Sequence, residues 1–553
     1  MPASPHSPPG KVEVFDTTLR DGSQREGISY SLDDKLRIAR KLDRLGVMFI
    51  EGGWPGSNPK DAAFFERVRK IKFKHAKLVS FGATRRARLK PQDDPSVRAL
   101  VEAGTEVCCI FGKSSVMQVE EVLRTTLGEN LAMITDTVAY LRSRGKRVIY
   151  DAEHFFDAYD ANPGYALKTL AAAQKGGAET LTLCDTNGGH LPWQIEAAVK
   201  AVCKRFGPGQ RIGIHAHDDT GCGVANSLAA VRAGATHVQG TINGYGERCG
   251  NANLCVIIPN LELKLGLRAL PAGVLRRLHE VARFIAEVAN LAPDEHMAYV
   301  GNSAFAHKAG VHVSAMQRHP YAYQHIDPAK VGNAMRVVVS ELSGRANLVS
   351  KATELGLGQL DNETGARVID QIKAKENEGY SFEAAEASVT LLLRRIAPDY
   401  QPLFTLLDYR GMVSRHGDRH TADATIKLTI GNQAVHTAAE GNGPVDAFDQ
   451  ALRKALQPMF PQVAQVQLTD YKVRILDSNK GTGAVTRVLI DWHDGKEHYW
   501  STVGASTDIL DATWLALADG YEYILTREPG QDRGKGRTRK TILHERKNRL
   551  IAR

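Results

Sequence analysis

Two histidines one residue apart, His215 and His217, close the apolar run RIGIHAH and are followed at once by Asp218 and Asp219. On a helix the two rings would face different ways, whereas on a strand, where side chains alternate with period two, they share one face. Side by side they cannot both be protonated cheaply, and neutral imidazoles are good ligands for a divalent metal. Such a cation also takes oxygen donors. FDTTLRDGSQ offers the carboxylate of Asp21, and NGYGERCGNAN offers the amide oxygen of Asn251. Two imidazoles, a carboxylate and an amide leave positions open for a substrate on an octahedral ion. Neither Asp218 nor Asp219 acquires a ligand role from its position.

Three further residues carry two readings each. Arg20, beside Asp21, forms an ordinary ion pair or stabilises an oxygen that turns negative during reaction. Glu153, in DAEHF, steadies a neighbouring histidine or arginine, or acts as a general acid or base. Thr186, in CDTNGG, caps the segment that follows or holds a substrate carboxylate.

These residues need a frame, and the first 260 positions supply one. Short β-rich runs recur at 12–15, 47–50, 77–81, 106–111, 147–151, 180–185, 211–215 and 237–242, separated by helix-like segments such as 31–46, 130–145 and 221–234 that end in or near Gly. Near-continuous apolar strands alternating with helices predict a parallel sheet covered on both faces. Eight such units predict a closed (β/α)8 (TIM) barrel over 11–260. An open doubly wound sheet fits less well, because no GxGxxG follows the first strand. Each polar residue named above then falls at the carboxy-terminal end of a strand, where barrels of this kind build their sites. Phe81 and Phe111 fall there too, as candidate pocket walls.

From 261 to 384 the rhythm gives way to helical texture, as in LRRLHEVARFIAEVANLA, and predicts a helical linker subdomain. Between 385 and 527 an antiparallel α+β texture follows, with EASVTLLL, DATIKLTI, VQLTDYKVRIL and TRVLIDW read as strands. Residues 432–456 and 497–521 echo one another as strand, Gly-containing turn, Asp and helix. The repeat predicts a duplicated unit with a regulatory or dimerisation role.

Composition narrows the class. The 553 residues, 43% hydrophobic and 24% charged, describe a globular protein of several domains. Of the net charge of +9, residues 529–553 contribute +7, with nine basic against two acidic side chains. The body is thus nearly neutral, and 528–553 reads as a solvated basic tail rather than a specific nucleic-acid contact. No run is long and apolar enough for a membrane span. MPASPHSPPG (1–10) has neither a signal core nor a transit pattern and reads as a disordered tail on a cytoplasmic protein. Seven cysteines without CxxC spacing favour reduced thiols.

Taken together, FDTTLRDGSQREG, HAHDD and NGYGERCGNAN resemble the signatures of the DRE-TIM metallolyase superfamily, in its Claisen-condensing branch of isopropylmalate, homocitrate and citramalate synthases. The resemblance covers the barrel, the linker and the C-terminal domain. It implies a metal site of Asp21, His215, His217 and Asn251 for Mg2+, Mn2+, Co2+ or Zn2+, and acetyl-CoA as co-substrate. It further implies an active-site arginine at Arg20, a catalytic glutamate at Glu153 and a substrate-carboxylate threonine at Thr186. HKAGVHVSAM and YQHIDPAKVGN are similar to segments that contribute a catalytic histidine and tyrosine, here His312 and Tyr323, to the partner subunit of a homodimer. EGGWPGSNPKDAAFFERV and EAAEASVTLLLRRI look like the citramalate-synthase group, which implies pyruvate as the 2-oxo acid and isoleucine as the effector. The cysteine-containing, glycine-rich loop of hydroxymethylglutaryl-CoA lyases fits GERCGNAN less well, leaving Cys249 a local packing choice.

Overall fold

The computed structural model describes residues 10–337, 362–383, 385–396, 400–476, 478–495 and 498–527. Apart from Gly10, both expected tails lie outside the described residues. The chain divides into two compact units, one of residues 1–305 with 325–335 and the other of 306–324 with 336–553.

The first unit is the expected barrel. Its strands are β1 (Glu13–Asp16), β2 (Phe49–Gly53), β3 (Lys77–Ala83), β4 (Val107–Lys113), β5 (Arg147–Glu153), β6 (Thr180–Asp185), β7 (Arg211–Ala216) and β8 (His237–Gly240). All eight pair in parallel and close when Glu13–Asp16 align with His237–Gly240. The local signals act as read. The helix Leu32–Leu45 starts with a reciprocal Ser31–Asp34 capping box and ends at Gly46 in the left-handed conformation.

Two apolar layers result. The larger lies between strands and helices and includes Leu42, Val148, Leu170, Val199 and Ile214, all fully buried. A smaller one inside the barrel gathers Phe15, Phe49, Val79, Phe81, Val107, Cys109 and Ile149. Full burial of such a side chain stabilises by about 1.5–3 kcal/mol, enough to carry buried polar groups on the same strands. At the amino-terminal ends, Glu179 accepts from Arg147 of β5 at 2.7 and 2.8 Å and from Arg211 of β7 at 2.9 Å.

The second unit contains a small parallel pair, β9 (Ala306–His307) with β10 (Arg336–Val337), and two three-stranded antiparallel sheets. The first is β11 (Phe404–His416), β12 (Arg419–Ile430) and β13 (Gln433–Gly441), followed by the helix Pro444–Leu456. The second is β14 (Gln467–Ile475), β15 (Thr486–His493) and β16 (Tyr499–Ser506), followed by the helix Ile509–Leu525. The echo between 432–456 and 497–521 is therefore a repeated strand-turn-helix ending. One expectation fails. EASVTLLL is not a strand but the core of the helix Glu386–Arg395. Glu386, Ser388 and Thr390 alternate with Ala387, Val389 and Leu391, the period-two pattern of a strand. Yet residues 387–391 are all buried in a helix, with Ser388 donating to Asp519 at 2.7 Å and Thr390 to the Glu386 carbonyl at 2.8 Å.

Candidate active site

The loop after β1 is set by Asp16. Its buried carboxylate accepts from the backbone N–H and the hydroxyl of Thr18, both at 3.0 Å, and burial pushes its pKa up to about 7. The resulting turn places Arg20 and Asp21 over the barrel mouth. β7 delivers His215 and, one residue beyond its end, His217. Both rings are buried, with their Nε2 atoms 3.2 Å apart. Asp21 Oδ2 lies 3.5 Å from His215 Nε2 and 3.9 Å from His217 Nε2. Burial alone would raise the Asp21 pKa, but Arg20 and His215 hold it well below the carboxylate range. His217 is pushed down to about 4 by burial and by His215 beside it.

Asn251 faces His217 across an isolated antiparallel bridge. Its Nδ2 donates to the carbonyl of Tyr245 at 3.2 Å, which leaves the buried Oδ1 without a partner. The backbone there demands glycine. Gly250 has φ +102°, and a Cβ on it would stand 2.0 Å from the carbonyl oxygen of Gly244. Two imidazole nitrogens, a carboxylate oxygen and an orphaned amide oxygen are a donor set that fits a hard or borderline divalent cation.

A cavity of about 250 Å³ opens beside these donors, lined by Arg20, Asp21, Asp151, Glu153, Thr186 and both imidazoles, among others. Its apolar wall is a trio of rings. Phe81 and Phe111 stack at 5.5 Å, and Trp54 stands edge-on to each at 5.7 Å. Arg20 lies over Phe81 with its guanidinium carbon 3.8 Å from the ring centre, and it donates through Nε to Glu51 at 2.7 Å. Glu51 also accepts from the hydroxyl of Thr17 at 2.5 Å. Glu153 is paired with Lys113 at the end of β4. The Thr186 oxygen accepts the backbone N–H of His154 at 2.8 Å, leaving its own hydrogen to donate elsewhere.

Seven of the residues singled out in the sequence thus meet at one mouth, with Phe81 and Phe111 beside them. His312 and Tyr323 belong to the second unit, where their rings lie 4.1 Å apart. The pair Asp218 and Asp219 turns out to build loops. Asp218 accepts from the N–H of Gly223 at 2.7 Å, at the start of the next helix. Asp219 takes a two-pronged ion pair from Arg248 at 2.7 and 3.0 Å, and Arg248 also reaches the Thr186 carbonyl at 2.9 Å.

Five residues were not singled out in the sequence: Glu51, Trp54, Asp151, Gln239 and Arg248. A signal existed for two of them. Glu51 and Gln239 are polar side chains on buried barrel strands, Glu51 alone in FIEGG and Gln239 beside His237 in HVQG, and a barrel strand tolerates such residues only where partners await them.

The chain matches the HMGL-like family over residues 11–285, the homocitrate synthase post-HMGL domain-like family over 299–379 and the LeuA allosteric (dimerisation) domain over 383–525. It is 53% identical over 525 residues to the (R)-citramalate synthase of Synechocystis sp., covering 93% of this chain and 96% of that one. Identity to the (R)-citramalate synthase of Streptomyces coelicolor is 52% over 520 residues, again 93% of this chain and 96% of the other. The 2-isopropylmalate synthase of Methanocaldococcus jannaschii is 28% identical over 522 residues, 94% of this chain and 96% of that one. With this likeness running through barrel, linker and C-terminal domain, the chain belongs to the citramalate synthase family of the DRE-TIM superfamily.

Proposed function

We propose that the chain condenses acetyl-CoA with pyruvate in a Claisen-type reaction and hydrolyses the thioester, releasing CoA and (R)-citramalate. It is then an acyltransferase that converts the acyl group to alkyl on transfer, serving isoleucine biosynthesis in the cytoplasm. The observation that carries this reading is the wall of Trp54, Phe81 and Phe111 standing beside the Asp21–His215–His217 cluster in one cavity of about 250 Å³. Three flat rings on one side of the cavity would narrow the space for the side chain of the 2-oxo acid, which favours the methyl of pyruvate over the isopropyl of 2-oxoisovalerate. The (R)-citramalate synthases above support the same choice.

Asp21, His215, His217 and Asn251 would hold Mg2+, Mn2+, Co2+ or Zn2+, which when bound polarises the keto group of the 2-oxo acid. Thr186 donates its free hydrogen to the substrate carboxylate. Arg20 cannot swing away, because Glu51 grips one edge and Phe81 supports its face. It therefore meets the developing alkoxide already oriented, which is what makes such a charge effective. Proton abstraction from the acetyl methyl falls to a base group of Glu153, His312 and Tyr323, the last two supplied by the partner subunit of a homodimer, as the family resemblance implies.

The LeuA-like region would carry dimerisation and feedback by isoleucine. Exposed apolar side chains on its sheets, among them Leu407, Met412, Val473 and Ile475, support a protein-covered surface.

Release of free thiol from acetyl-CoA, measured with pyruvate, 2-oxoisovalerate and 2-oxoglutarate in parallel, tests the reading. Pyruvate should be turned over with the highest kcat/KM. A preference for 2-oxoisovalerate or 2-oxoglutarate would make the chain a 2-isopropylmalate or a homocitrate synthase instead.

A further inference from the structure

Behind His215, inside the barrel, a fully buried glutamine bridges three strands. Gln239 of β8 has its Oε1 2.9 Å from His215 Nδ1 on β7. Its Nε2 lies 2.9 Å from Asp151 Oδ1 on β5 and 3.3 Å from Thr182 Oγ1 on β6, with His237 Nε2 at 3.5 Å. The amide has one stable orientation. Reversed, its oxygen would face the Asp151 carboxylate oxygen at 2.9 Å, acceptor against acceptor. With the amide so fixed, the atom turned toward His215 is an acceptor, and Nδ1 must carry the ring hydrogen. A neutral imidazole protonated at Nδ1 has its lone pair on Nε2, the nitrogen that faces His217 Nε2 and Asp21.

We propose that Gln239 is a positioning residue: oriented by Asp151 and Thr182, it locks His215 into the tautomer whose Nε2 lone pair points at the metal site. This rests on reading His215 as a metal ligand. Histidine ligands are held in this way by the partner of the second ring nitrogen, and removing that partner weakens metal binding by about 10–100-fold. A glutamine alone would not suffice, since its amide turns either way. The constraint originates in a carboxylate that lines the cavity, so Asp151 is linked to His215 through two hydrogen bonds by way of Gln239.

The test uses the full-length metal-free protein and Mn2+, with affinity read by chelator competition and folding by thermal melting. Gln239→Met keeps the volume and removes the acceptor, and should bind Mn2+ about 10–100-fold more weakly. Gln239→Glu keeps an acceptor for Nδ1–H and can share a proton with Asp151 in place of the amide hydrogen, so it should stay within about threefold of wild type. Unchanged affinity in Gln239→Met, or equal losses in both variants, overturns the proposal. If neither variant folds, the tautomer decides. In 15N-histidine-labelled metal-free protein at alkaline pH, the resonances lost in His215→Ala should report a ring protonated at Nδ1 alone, and any other state overturns the proposal. Failure of the ligand reading looks different, because His215→Ala would then bind Mn2+ as tightly as wild type.

Discussion

Phe111 is the ring whose removal separates selectivity from catalysis. Phe81 supports Arg20, and Trp54 braces both phenylalanines, whereas Phe111 meets, besides those two rings, the ammonium of Lys113, 5.7 Å from its centre, which pairs with Glu153. Phe111→Ala should open the wall while leaving Arg20 seated. The isopropyl of 2-oxoisovalerate carries two more carbons than the methyl of pyruvate. Burying them gains about 1.6 kcal/mol at ~0.8 per carbon, and relieving the overpacking they now cause returns another ~1–3 kcal/mol. The sum, about 2.5–4.5 kcal/mol, predicts that kcat/KM for 2-oxoisovalerate relative to pyruvate rises by roughly two to three powers of ten. Because Phe111 is only half-buried, its loss should cost about 2 kcal/mol of stability. Thiol release over a concentration series of each 2-oxo acid, with a melting curve for the variant, provides every quantity needed. A ratio that moves less than about threefold in a folded variant would refute the aromatic wall as the basis of selectivity.

Chelation of the metal should abolish thiol release, and a divalent cation should restore it; activity that survives exhaustive chelation would count against the metal site. In Gly250→Ala the new methyl meets the Gly244 carbonyl at a φ of +102°, a conflict between two backbone segments of order 1–3 kcal/mol. Turnover and Mn2+ affinity should therefore fall well before the melting temperature does, and full activity would show that Asn251 need not be held as described. At the other end of the barrel, hydrogen bonds from Arg147 and Arg211 hold Glu179 down to about 2 against an ordinary 4.5. A lowered carboxylate stabilises fully above about 4.5 and fades as pH falls toward 2. Glu179→Gln should then melt about 2–4 °C lower than wild type at pH 7, from ~1 kcal/mol after solvent screening, and the gap should shrink below about pH 4.5 and close only as pH falls past about 2. A gap that is constant with pH would assign the effect to packing. Isoleucine should inhibit the full-length enzyme more strongly than leucine, and indifference to both would remove the regulatory reading.

The barrel was legible because every strand and helix carried its own signal: an apolar run, a cap, a glycine stop. The donors at its mouth were legible once strand ends were identified, since Asp21, His215 and Asn251 each follow a recognisable run. Glu51 shows what local reading misses. Its partner Arg20 lies 31 residues earlier in the loop after the neighbouring strand, and no spacing rule links the two until the barrel closes. Gln239 was hidden in the same way, its three partners lying on three other strands. Glu386–Arg395 was misread for another reason, since Ser388 and Thr390 alternate with apolar neighbours as in a strand, although both are buried and hydrogen-bonded within the folded unit. Asp218 and Asp219 sit beside the ligands in sequence, yet their side chains serve the loops.

The Arg147–Glu179–Arg211 cluster binds strands together at the amino-terminal ends, and the aromatic trio lines the cavity at the carboxy-terminal ends. The two sets share no side chain. Changes at 54, 81 and 111 therefore leave these inter-strand ion pairs intact, so the scaffold can absorb trial substitutions at its mouth without losing them. Exchanges of ring for aliphatic chain at the mouth would then be tried one at a time with the clamps between β5, β6 and β7 still in place.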